Sequence, residues 1–384
     1  MSDGAWLTWA REAGEAIAAA GQWRQPRAFD AAGPEGHLVA ADVDVVSFAS
    51  NDYLGLTQHP EPAAAAAAAL ARWGTGAGAA RLIVGSRPVH HELEVALAEW
   101  RDEPAAVLYP TGYAANLGAL TTLAGRGVLV CSDERNHASI IDGCRLARAG
   151  GAELAVYPHG DVAAVDRALA GAPGRALVVS DLVFSMDGDV APVDDLLEVC
   201  ARHDALLVLD EAHAVLGPTV APGPEGPTVV RVGTLSKTVG VVGGFVAGPQ
   251  VVVDVLVNRS RPYIFTTALP PADAAAALAA VAVVRGADGE QRRRRLRRHV
   301  DRLVPGWPSP ILPLVVGDEQ TALDAADALL ARGLLVPAIR PPTVAPGTSR
   351  LRIALSAAHT DDHLDRLVGA LDELDLRHHL GGPT

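Results

Sequence analysis

The sequence predicts an α/β protein, with a large domain on a mainly parallel sheet and a smaller α+β domain at the C-terminal end. Three observations predict it. From about residue 105 to 234, short apolar runs alternate with helical stretches, the pattern of parallel strands covered on both faces. Polar residues gather just after those runs, where open α/β sheets hold their ligands. Beyond about 285 the alternation stops, and ILPLVVGD, TALDAADALLARG, LLVPAIRPPTV and SRLRIALSAAH read as a separate unit. The expected division is an N-terminal arm over 1–45, a large domain over 46–284 and a small domain over 285–384.

Each element has its own signal. Residues 5–20 predict an amphipathic helix, followed by an irregular Pro/Gly-containing segment to about 37. HLVAADVDVVSFAS carries the β-branched alternation of a hairpin. PAAAAAAALARWG is a helix with a glycine stop, and HHELEVALAEW is another. The strand runs are AAVLY, GVLVCSD, ELAVYP, ALVVSD, LLVLDEAH and TVVRVG. Helical ANLGALTTLAG, ASIIDGCRLARAG and VAAVDRALAG fall between the earlier ones. GPTVAPGPEGPT, 217–228, is a loop. The basic run QRRRRLRR, 291–298, spreads its charge around a helix and reads as a solvated surface.

Composition bounds the function. With 384 residues, 49% hydrophobic and 20% charged, the chain is globular. Its net charge of −13 disfavours nucleic acid as a partner. Cys131, Cys144 and Cys200 have no metal-ligand spacing, and no metal site is expected. The acidic N-terminus is not a signal peptide, and no apolar run reaches membrane-spanning length. These features predict a cytoplasmic protein.

Among 32 lysines and arginines, only Lys237 is lysine, in VGTLSKTVGVVGG. Arginine stays charged at ordinary pH and cannot replace an amine that must lose its proton. A neutral amine can form a Schiff base or carry a proton. The rival, a phosphate-gripping lysine, lacks the upstream glycine spacing of a Walker loop. Asp210 ends a buried strand in LLVLDEAH, and a buried carboxylate needs a partner. A protonated pyridine nitrogen would serve, as in pyridoxal phosphate sites. His213 follows three residues later, placed to bond a ring hydroxyl.

Eight ordered motifs, FASNDYLGL, TGYAAN, NHASIIDG, VFSMDGDVAPV, LDEAH, TLSK, FTTALPP and RPPTVAPGTSRLR, resemble the α-oxoamine synthases. These are pyridoxal 5'-phosphate acyltransferases of the fold type I, aspartate aminotransferase-like class. The resemblance covers about residues 24–368. It implies that Lys237 holds the cofactor, Asp210 pairs with the pyridine nitrogen, and His213 and Ser185 support the ring oxygen. His137 would stack on the ring. Gly112, Tyr113 and Thr234 would bind the phosphate, with Thr266 or Thr267 reaching across a homodimer interface. Arg352 would grip the amino-acid carboxylate, with Arg350 on the same strand face. Asn51, Thr343 and an arm arginine, Arg24 or Arg27, would line the acyl side.

Within the family, AIRPPTVAPGTSRLRIALSAAH most resembles the biotin-pathway branch that joins L-alanine to a pimeloyl thioester, carried on coenzyme A or acyl carrier protein. The alternatives are a sister synthase with another amino acid and acyl group, such as glycine with acetyl-CoA, and a non-catalytic cofactor-binding descendant. The chain departs from the family pattern at Ala214, where glycine is usual, and in a shortened 217–228 loop.

Overall fold

The computed structural model describes residues 4–381. Its centre is a seven-stranded sheet: β1 (Ala105–Tyr109), β2 (Val128–Asp133), β3 (Glu153–Tyr157), β4 (Arg175–Asp181), β5 (Leu206–Asp210), β6 (Val229–Thr234) and β7 (Gly244–Gly248). The spatial order is β1-β7-β6-β5-β4-β2-β3. The pairings from β6 through β3 are parallel, whereas β7 runs antiparallel to both its neighbours.

Alternation along the strands builds the two layers. In β4, Leu177 and Val179 pack with Ala119, Leu120 and Ile140 on one face, while Val178 packs with Val165, Leu169 and Leu196 on the other. Each fully buried Leu or Val contributes roughly 1.5–3 kcal/mol of transfer free energy. A third cluster joins Leu108 and Phe245 of β1 and β7 to the helices Pro88–Arg101 and Pro271–Arg285, and continues into the C-terminal unit.

The six expected strands are present and β7 is the addition. GFVAG reads poorly as a strand because its two glycines lack side chains to pack. The structure explains Gly244: a Cβ there would lie 2.5 Å from the Gly112 nitrogen and the Thr111 carbonyl. That close approach sets the start of the helix Gly112–Leu123 against the strand ends.

The C-terminal unit is a sheet of Ile311–Gly317, Ser349–Ala354 and Ala338–Ile339, with helices Glu319–Leu330 and Asp361–Glu373. The segment expected to be irregular contains the strand Phe29–Ala31, paired with Glu35–Leu38. The predicted hairpin pairs Glu35–Leu38 with Val43–Ser47, and Val43–Ser47 runs parallel to Leu334–Leu335. N-terminal and C-terminal residues thereby share one small sheet. The helix Ala5–Ala19 has no buried residue and leaves Trp6, Leu7 and Trp9 exposed. The arginine-rich helix Ala287–Leu303 buries Leu296, His299, Val300 and Leu303 along one seam. No helix among the described residues is long and apolar enough to cross a membrane.

Candidate active site

Polar side chains at the carboxyl ends of β4, β5 and β6 converge on one crevice. Asp181 and Asp210 are register partners on adjacent strands, and Thr234 ends the next strand. A cavity of about 230 Å³ is lined by Thr111, Gly112 and Tyr113 at a helix start, by Asn116 and His137, and by Asp210, His213, Thr234 and Lys237.

Asp210 is held rather than merely buried. Its Oδ1 accepts the Ala212 N–H at 2.8 Å, and its Oδ2 accepts from Asn116 Nδ2 at 2.6 Å. Asn116 Nδ2 also donates to Ser139 Oγ at 2.9 Å, and that hydroxyl lies 2.7 Å from His137 Nδ1. His137 Nδ1 accepts the Ser139 N–H at 3.2 Å, so Ser139 donates its hydroxyl proton and the His137 ring carries its own on Nε2. The next residue, Glu211, turns away from Asp210 to pair with Arg231 at 2.5 Å and Arg101 at 3.1 Å. Those two ion pairs anchor the segment that carries Asp210 and His213.

Burial shapes the protonation states. It lowers the Lys237 pKa from its ordinary value, against the opposing charges of Asp210 and Asp181. Burial likewise lowers His137 and holds His213 well below the usual imidazole range, with the Lys237 charge adding to both. Burial beside the Asp210 charge raises Asp181 well above ordinary carboxylates. The crevice therefore favours neutral imidazoles and weakens the hold of the Lys237 amine on its proton.

A second polar cluster lies behind His213. Arg352 Nε donates to the Ser185 carbonyl at 2.6 Å, and Arg352 Nη2 donates to Asn51 Oδ1 at 3.1 Å. Arg350 pairs with Asp187, two residues beyond Ser185. Both arginines thus reach the turn after Val183, consistent with one strand face, but Arg350 is engaged by a buried carboxylate and Arg352 by neutral oxygens.

His159 clamps that turn. Its Nε2 lies 2.7 Å from Asp189 Oδ2 and its Nδ1 3.1 Å from Asp133 Oδ1, while its ring meets Phe184 edge-on. Burial alone would lower its pKa, but the two carboxylates outweigh that and push it up to about 9. A raised imidazole stabilises the fold fully below its unfolded value near 6.5, and the gain is lost as pH rises through about 9. His159→Gln is expected to lose on the order of 1–2 kcal/mol near pH 6, discounted for partial exposure. Denaturant titrations of the two proteins should converge between pH 7 and 10; a gap independent of pH refutes the clamp.

Not every predicted residue joins the crevice. Thr266 and Thr267 line a separate shallow recess with Arg81, Tyr109 and Tyr263. Arg24 and Arg27 are exposed on the arm, and Thr343 is exposed in the loop before Ser349. The Ser185 side chain does not line the cavity, although its carbonyl binds Arg352. Sequence reasoning gave no role to Tyr53, Asn116, Ser139 or Asp181. Ala214 is absent from the non-glycine positive-φ residues, so alanine there carries no left-handed backbone strain.

The donor set fits pyridoxal phosphate. The Thr111 side chain caps the helix by accepting from Ala114 N, which leaves the Gly112 and Tyr113 N–H groups outside the helix's own bonding and suited to a phosphate. Thr234 and Ser236 add hydroxyls at the same end, 2.8 Å from each other. Asp210 offers a carboxylate to a ring nitrogen, His213 a nitrogen to a ring oxygen, and Lys237 an amine. Asn116 Oδ1, buried in the wall, has no hydrogen-bond partner among the described residues.

The aminotransferase class I and II model matches residues 43–371. The 8-amino-7-oxononanoate synthase of Bordetella petrii is 47% identical over 88% of this chain and 90% of its own length. That of Marinobacter nauticus is 46% identical over 92% of each. Among solved structures, a serine palmitoyltransferase from S. paucimobilis with bound PLP and myriocin is 32% identical, covers 95% of this chain and 96% of its own, and has a TM-score of 0.87. The Sphingomonas wittichii serine palmitoyltransferase is 31% identical over 97% of this chain and 98% of its own, with a TM-score of 0.85. The chain therefore belongs to the α-oxoamine synthases, within the aminotransferase class I and II family.

Proposed function

We propose that this enzyme condenses L-alanine with a pimeloyl thioester, releasing carbon dioxide and free thiol, to form 8-amino-7-oxononanoate for biotin biosynthesis. The observation that carries the reaction class is the convergence of the sole lysine, buried Asp210 and His137 around one cavity. Substrate choice rests on the 46–47% identity to synthases of that name over nearly the full length of both partners.

The bound cofactor would supply an electron sink for a carbanion at the amino acid's α-carbon. Asp210 would hold a proton on the ring nitrogen, and Asn116 orients that carboxylate. Lys237 Nζ, with its pKa lowered, takes the α-proton and later returns one. His137, in the cavity wall, would cover one face of the bound group and exclude water there. A carbon–carbon bond forms to the acyl carbon, the carbon–sulfur bond breaks, and loss of the carboxyl group as carbon dioxide follows.

Arg352 binds the amino-acid carboxylate, the bidentate task suited to guanidinium, and Asn51 steadies it. Arg350 supports the neighbouring turn through Asp187. Arg24 and Thr343 meet the acyl donor, on coenzyme A or acyl carrier protein, in a homodimer where Thr266 or Thr267 completes the partner's phosphate site. Arg352→Lys is expected to raise KM for alanine about tenfold to a hundredfold with a smaller change in kcat. Steady-state kinetics with an unchanged KM would remove Arg352 from that role.

The test is a substrate matrix of alanine, glycine and serine against pimeloyl, succinyl, acetyl and palmitoyl thioesters, with thiol and carbon dioxide both measured. Alanine with pimeloyl should dominate. The structural likeness to serine palmitoyltransferases gives serine with palmitoyl as the second reading, and dominance of that pair would replace the first.

A further inference from the structure

The Tyr53 hydroxyl occupies a junction between the crevice and the arginine cluster. Tyr53 is fully buried, its ring set among Phe48, Leu54 and Leu56. Its hydroxyl lies 2.5 Å from His213 Nδ1 and 3.1 Å from Asn51 Oδ1. Asn51 Oδ1 already accepts from Arg352 Nη2, at 3.1 Å. His213 lines the Lys237 cavity, and Tyr53, Asn51 and Arg352 adjoin it. One phenol therefore touches the histidine on the ring-oxygen side and the amide that steadies the carboxylate-binding arginine.

Proton counting gives that contact a direction. A neutral imidazole has one N–H, and a phenol has one proton to donate. The Tyr53 hydroxyl can go to His213 Nδ1 or to Asn51 Oδ1, and the shorter contact, to an acceptor not shared with Arg352, is the histidine. With Nδ1 accepting, the imidazole proton resides on Nε2, the nitrogen remote from Tyr53. In the opposite arrangement Nδ1 would donate to Tyr53, and Nε2 would become an acceptor with nothing to offer an anionic oxygen.

We propose that Tyr53 is a positioning residue that fixes the tautomer of His213 and keeps Nε2 a donor toward the cofactor's ring oxygen. The inference rests on the pyridoxal phosphate reading of the cavity. Tyr53→Phe keeps the buried ring and removes only the hydroxyl, so its His213 distributes between two tautomers.

The test follows the pH midpoint of the holoenzyme's visible cofactor band, which depends on how well the ring oxygen's negative charge is stabilised. Tyr53→Phe should raise that midpoint by a few tenths of a unit, about 0.3 for an even split, because the donor is present only part of the time. Its kcat should fall about tenfold or more, with less change in KM for alanine. In a His213→Asn background, whose amide has no tautomers, adding Tyr53→Phe should move the midpoint little. Nitrogen-15 spectra of histidine-labelled holoenzyme should show neutral His213 protonated on Nε2 in the parent and a mixture of the Nε2-H and Nδ1-H tautomers in Tyr53→Phe. An unchanged midpoint in Tyr53→Phe, an equal shift in the His213→Asn background, or a parent His213 protonated on Nδ1 overturns the proposal. If the parent protein forms no visible band with pyridoxal phosphate, the cofactor reading itself fails, which is a separate result.

Discussion

Lys237→Arg is expected to abolish turnover, by at least about a thousandfold, and to leave the fold intact. Guanidinium cannot shed its proton at working pH, so it can neither attach to an aldehyde nor accept the α-proton. The fold should survive because Lys237 follows β6 in a loop rather than filling the apolar layers. A buried cation is kept in both proteins, and Asp210 and Asp181 remain to face it. Borohydride reduction followed by peptide mass analysis should find the cofactor on Lys237 in the parent and nowhere in the variant. Thiol release within tenfold of the parent would show that the chemistry does not pass through this amine.

The strand ends were legible in the sequence because buried parallel strands are written as unbroken apolar runs, and the polar residue that stops each run lies at the ligand edge. Asp210 and Thr234 stood out that way. Asp181 ends ALVVSD with the same signature and went unused, since its importance comes from facing Asp210 on the next strand, a register no single run contains. Asn116 lay inside a quoted motif. Its role appears only when the helix start at Gly112 is pressed against Gly244, which aims the amide four residues along at Asp210. Tyr53 looks like a core aromatic in FASNDYLGL, and its ring is one; only the hydroxyl contact with His213, 160 positions away, separates the two uses. β7 was missed because the glycine that weakens its strand signal is the one the close approach requires. Thr266 and Thr267 lie in a recess apart from the Lys237 cavity, and neither the motif nor a single protomer chooses between them.

Asp210→Asn should separate cofactor attachment from cofactor use. The amide is nearly isosteric but carries no charge, so the ring nitrogen loses the partner that keeps it cationic, and a carbanion loses its sink. A drop in kcat on the order of a thousandfold is expected, in line with removal of a preorganised electrostatic partner. The hydrogen-bond network makes the loss hard to repair. Ala212 N–H requires an oxygen on one side of residue 210, which turns the new amide's NH2 toward the Asn116 Nδ2 that donates there now. Asn116 can relieve that donor–donor contact only by rotating its Oδ1 inward, which withdraws Nδ2 from Ser139 Oγ and loosens the hydroxyl that holds His137 Nδ1. One substitution would thus disturb both the carboxylate proposed to meet the ring nitrogen and His137. Because Lys237 keeps its amine, borohydride should still trap the cofactor there, in contrast to Lys237→Arg. Removing the Asp210 charge also relieves Asp181, whose pKa should fall back toward the ordinary carboxylate range. A variant that traps cofactor and turns over within tenfold of the parent would place the electron-withdrawing partner on some other residue.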